Sequence, residues 1–130
     1  MNIPPQVDET VSPFEALKKS SRWLNQFENN VYSQTGEDGV IAKTLSVLPT
    51  KNGWCVEFGA WDGKHLSNTF NLVENDGYKV VLIEGDKAKH RALCSDYPFK
   101  GHAVFVNRFV GWTEDNGLDS ILGKHPIPQD

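Results

Sequence analysis

The chain has 130 residues, 38% of them hydrophobic and 23% charged, which suits one soluble globular domain and no more. A formal net charge of −4 gives no electrostatic basis for holding nucleic acid or an acidic membrane, and neither is expected as a partner. There is no apolar run of membrane-spanning length and no leader peptide pattern, and Cys55 and Cys94 lack metal-ligand spacing, so the expected setting is the cytoplasm, without a metal.

Residues 1–30 read as an N-terminal arm followed by a helix. Ser12, Pro13 and Glu15 form a helix start, and Phe14, Leu17, Leu24 and Phe27 recur near helical spacing up to about Glu28. Residues 31–130 read as the N-terminal, cofactor-binding half of a larger domain. A second helix is expected from Gly36, capped by Thr35, with Val40, Ile41, Thr44, Leu45 and Leu48 on its buried face and Pro49 as its stop. Glu37 and Asp38 then fall in its first turn, where carboxylates oppose the helix dipole.

Trp54 to Phe58 reads as an apolar strand buried on both faces, interrupted by Glu57 and running into a turn with Gly59 and Gly63. These glycines let the backbone bend and let a ligand come close. Lys64 to Asn75 reads as the next helix, closed by Gly77. A β-branched strand, Tyr78 to Ile83, follows and ends on Glu84-Gly85-Asp86. Lys87 to Asp96 is expected to be helical, ended by Pro98, and His102 to Asn107 to be a third strand. Leu118 to Leu122 has the length of a short helix.

The expected fold is α/β and Rossmann-like, with parallel strands ordered 3-2-1 by right-handed crossovers. Its ligand crevice lies at the carboxyl ends of the strands. Glu84 stands there about 20 residues past the glycine turn, where a carboxylate accepts from both ribose hydroxyls. Trp61 occupies the place of the glycine that admits a pyrophosphate, which speaks against an oxidoreductase using NAD. A cofactor without phosphates, such as S-adenosyl-L-methionine, needs no such approach. Glu57 and Asp62 are placed to favour its amine and sulfonium. Asn107, on the same rim, is read equally as a ligand to an adenine amine or as a strand-end turn residue.

The blocks Tyr32 to Ile41, Val56 to Gly63, Ser67 to Thr69 and Leu82 to Asp86, in that order, resemble the FkbM-type S-adenosylmethionine-dependent methyltransferases. The resemblance runs from about Val31 to Val110 and implies a Rossmann-like methyltransferase fold of which this chain holds the first half. It implies O-methyl transfer to a hydroxyl of a small molecule or saccharide. It also implies a cofactor site drawn from Glu57, Gly59, Ala60, Trp61, Asp62, Gly63, Asn68, Glu84, Gly85, Asp86 and Asn107, and it places Glu37 and Asp38 beside that pocket. No residue is identified as catalytic; the base is expected beyond residue 130. A non-catalytic domain that binds nucleoside or packs against a partner is the second expectation. The free edge of the Trp54–Phe58 strand is expected to favour self-association.

Overall fold

A computed structural model of the protein describes residues 23–128. Its centre is a parallel sheet of β1 (Trp54–Phe58), β2 (Lys79–Ile83) and β3 (Ala103–Val106), in the order β1-β2-β3, which is 3-2-1 read from the other side. Val56 lies opposite Val81, and Val81 opposite Val104. The α-helices are α1 (Glu37–Val47), α2 (Phe70–Asp76), α3 (Lys87–Asp96) and α4 (Leu118–Leu122). The described residues are therefore α/β with a three-stranded open parallel sheet, as expected.

β2 is the middle strand, and Val80 to Ile83 are fully buried on both faces. On one face Val80 and Leu82 pack with Phe70, Val73, Leu93 and Tyr97, which come from α2 and from α3 and the residue after it. On the other face Val81 and Ile83 pack with Val106 and with Ile121 of α4. Four T-shaped or tilted aromatic contacts link Phe70, Tyr97, Phe99 and Phe105 on the first face.

Several expectations are corrected. β1 is not buried on both faces: it is an edge strand among the described residues, mostly half-buried, with Phe58 59% exposed. The predicted first helix lies mostly outside the described residues, and its described part, Trp23–Phe27, is a 3₁₀ turn. α1 is preceded by Gly36 at φ +94, and Thr35 does not cap it. Instead the N–H and hydroxyl of Thr35 both donate to Glu37, at 2.7 and 2.6 Å. The expected apolar face of α1 is only half-buried, with Leu48 exposed.

The helix expected from Lys64 begins only at Phe70. Polar side chains offer residues 64–69 better partners than a helix would. Asp62 accepts from the N–H groups of Lys64 and His65, and Leu66 has a φ of +55. The Ser67 hydroxyl accepts the N–H groups of Thr69 and Phe70, so it satisfies donors at the start of α2. The other end behaves as read: Gly77, at φ +69, closes α2 by donating to Leu72. α3 also has its expected bounds, because Asp86 caps its first N–H groups and Pro98 follows its last turn.

Candidate functional site

The carboxyl ends of the strands bring the predicted residues to one rim. Gly59 to Gly63 leaves β1, Glu84 to Asp86 leaves β2, and Asn107 follows β3. The hydrogen-bond ladder continues past the strands: Ala60 N–H donates to Ile83, and Glu84 N–H to Val106. This fixes Glu84 at the tip of the middle strand, where it is only 7% exposed.

The Glu84 carboxylate joins two loops. Oε2 accepts the N–H of Trp61 and Oε1 the N–H of Asp86, each at 2.9 Å. Each carboxylate oxygen has a lone pair left for a second donor. Asn107 turns its Nδ2 back onto the carbonyl oxygens of Glu84 and Gly85, at 2.8 and 3.1 Å. Its amide nitrogen thus serves the strand-end role. The Phe109 ring packs directly over Gly85, where an added Cβ would lie 2.2 Å from it and the exposed ring would have to shift. Sequence reading missed Phe109, which is exposed and covers the β2 exit from the far side of the chain.

Glu57 faces the segment that leads into α2. It accepts from the Ser67 hydroxyl at 2.6 Å, the Asn68 N–H at 3.1 Å and the Thr69 hydroxyl at 2.5 Å. Asn68 therefore contributes its backbone here, and Ser67 and Thr69 are the neighbouring side chains that matter. Asp62 holds the turn after Gly59 through Lys64 and His65, and Asp86 caps α3. The N–H of Lys89, and then that of Ala88, hold the Asp86 carboxyl below the usual carboxylate range against the opposing effect of burial. The rim is acidic, and each of its carboxylates also organises backbone.

Gly59 and Gly63 behave differently from one another. Both have positive φ, +67 and +73. Among the described residues a Cβ on Gly59 would meet nothing within 4 Å, whereas one on Gly63 would lie 2.7 Å from the Tyr97 ring. The close approach at Gly63 is to the core and not to a ligand. Ala60, the other small residue of the turn, is buried in the same core cluster.

The loop before α1 reaches this rim. Asp38 is buried and accepts the N–H groups of Val31, Tyr32 and Ser33 at 2.7–2.8 Å. Burial raises its pKa, but those N–H groups together outweigh it and leave the carboxyl below its ordinary range. The loop so formed places Tyr32 edge-on to Phe70, 4.7 Å between centroids. Val31 and Tyr32 share a pocket of about 310 Å³ with Asp62, Lys64, His65 and Leu66. A second pocket, of about 260 Å³, lies between Trp61 and α3. A larger one, about 490 Å³, opens at the start of β1 beside Leu45, Leu48 and Tyr78. It lies at the end of the sheet away from the rim.

Cys55 and Cys94 lie away from the carboxyl tips, in β1 and α3. Burial, and then the charge of Glu57, push the Cys55 thiol up to about 12, so it stays protonated at neutral pH. Cys94 stands 3.6 Å from Nε2 of His90, one turn away on α3, a contact not read from sequence. Both cysteines are free. No helix of the described residues is long and apolar enough to cross a membrane.

No family model matches the chain, and no solved structure matches it. Over 86 residues the chain is 30% identical to beta-1,4-galactosyltransferase 5 of Sus scrofa, a match that covers 64% of this chain and 21% of that protein. The chain thus spans about a fifth of the curated relative it matches. This likeness overturns the expected methyltransferase function, because the protein matched is named for the transfer of galactose and not of a methyl group.

Proposed function

We propose that the carboxyl rim of the sheet binds the nucleoside part of an activated donor, and that the chain is the donor-binding part of a group-transfer domain. The observation that carries this is Glu84, a buried carboxylate at the tip of the middle strand of a parallel sheet. Its lone pairs beyond the Trp61 and Asp86 N–H bonds suit a pair of ribose hydroxyls. The galactosyltransferase likeness favours glycosyl transfer to a saccharide hydroxyl as the reaction class. In such a transfer the chain's own work is to hold the donor and orient it. The four rim carboxylates, Glu57, Asp62, Glu84 and Asp86, repel phosphate, so the grip falls on the nucleoside. Among the described residues nothing pairs with the outer edge of β1, and such an edge favours self-association or pairing with further chain.

Titration calorimetry with adenosine, uridine, UDP, S-adenosylhomocysteine and NAD tests the reading. Ribonucleosides should bind, and without divalent cations UDP and NAD should bind no more tightly than their nucleosides. Glu84→Gln should weaken nucleoside binding by roughly tenfold or more, since a charge-assisted hydrogen bond contributes about 1.5–3 kcal/mol. A folded mutant with unchanged affinity would remove Glu84 from the site.

A further inference from the structure

Trp61 combines features that loop closure alone does not explain. It is a bulky residue with a φ of +49, in the left-handed region that such residues avoid. The strain is not offset by full burial, because the side chain is 50% exposed. The hydrogen bond from its N–H to Glu84 fixes the backbone, and His65 meets the indole edge-on at 5.2 Å. The indole thus stands as a wall beside α3. Facing it, Ala88 and Ala92 are small and exposed, with Leu93 buried behind them. Asp62 and Asp96 also line the space.

We propose that this groove of about 260 Å³ between Trp61 and α3 is a stacking site for a nucleobase that carries an exocyclic amine. An indole face and an apolar helix face match the two sides of a flat ring. Asp62 and Asp96 offer acceptors to both N–H bonds of an exocyclic amine, whereas the pairing edge of uracil shows a single N–H between two carbonyl oxygens that the carboxylates repel. Lys89 now lies with its ammonium 5.9 Å from the indole centroid. Its side chain is exposed and swings away as the base enters, so one contact with the ring face replaces another. The inference rests on the nucleoside reading. The backbone N–H of Trp61 donates to Glu84, so the loop that carries the indole is anchored at the proposed ribose contact.

The test is an amide and indole NMR titration of the full chain with free adenine and free uracil, neither of which has a ribose. Adenine should shift the Trp61 indole N–H and the amides of residues 88–93, and uracil should bind more weakly. Ala92→Leu fills the groove from an exposed helical position and should weaken adenine by roughly tenfold. Trp61→Gly relieves the left-handed strain, keeps the fold, and should do the same. The groove is ruled out if adenine leaves these signals unmoved, if it shifts Gly85, Asn107 and Phe109 instead, or if Ala92→Leu binds like the wild type. Adenosine separates the two claims. Adenosine affinity that falls in Glu84→Gln while adenine never reaches the groove removes only the groove. Adenine that binds in the groove while Glu84→Gln leaves adenosine unchanged removes only the ribose contact.

Discussion

Phe70→Ala should cost about 3–5 kcal/mol of folding stability, the range for removing a buried aromatic side chain. Phe70 is 1% exposed and is the hub of the core on the α2–α3 face. Its ring meets Tyr32 at 4.7 Å, Phe99 at 5.6 Å and Tyr97 at 5.9 Å between centroids. Tyr32 belongs to the loop tied down by Asp38, so the ring joins the segment before α1 to the central unit. A domain of this size has a total stability of about 5–15 kcal/mol, so the variant should retain little of it. Urea unfolding followed by near-ultraviolet circular dichroism would show a large fall in midpoint. A fall worth less than about 1 kcal/mol would mean that this aromatic cluster does not hold the two parts together.

Gly63→Val should cost nearly as much, by a different route. At φ +73 any side chain is strained, by about 1–2 kcal/mol. The added Cβ would also lie 2.7 Å from one Tyr97 ring carbon and 3.0 Å from Leu93 Cδ1, both buried. Overpacking of that kind adds about 1–3 kcal/mol. Gly59→Ala is the control, since its φ of +67 carries the strain without the overlap. Thermal unfolding should therefore rank wild type above Gly59→Ala, and Gly59→Ala well above Gly63→Val. Equal losses at the two positions would mean that the Tyr97 contact is not the reason for glycine at residue 63.

The sequence made the central unit legible where a local signal and its tertiary role coincide. The run Val80 to Ile83 is apolar throughout because β2 is the middle strand with helices on both faces. The end of α3 was readable from Pro98, which acts within a turn of the chain, whereas the Asp86 cap at its start came only with the structure. β1 likewise holds four apolar residues and one charged one but lies at an edge among the described residues, and nothing in Trp54 to Phe58 records how many neighbours the strand has. The segment after Gly63 was read as helix because its polar residues tolerate one. Glu57, which comes earlier in the chain, instead takes the Ser67 and Thr69 hydroxyls.

For the candidate site, the acidic and glycine positions at the strand tips were readable from the rule that ligands meet parallel sheets there. Their present partners were not, because those depend on which backbone N–H groups the loops turn inward. The groove beside Trp61 was invisible for the same reason. It joins a loop residue to Ala88, Ala92 and Leu93, which by themselves look like an ordinary helix face. The reaction class was misread because the motif blocks report the geometry of a strand-tip site more than the group transferred from it.

Glu84 is proposed to read the two hydroxyls of a ribose. The direct measurement compares adenosine with 2′,3′-dideoxyadenosine by titration calorimetry, on the wild-type chain and on Glu84→Gln. The two ligands share a base and differ only in the hydroxyls, so the comparison isolates the proposed contact. The wild type should prefer adenosine by roughly tenfold or more, and the preference should disappear in Glu84→Gln. Equal affinity for the two ligands in the wild type, or a preference that survives in Glu84→Gln, would contradict the account.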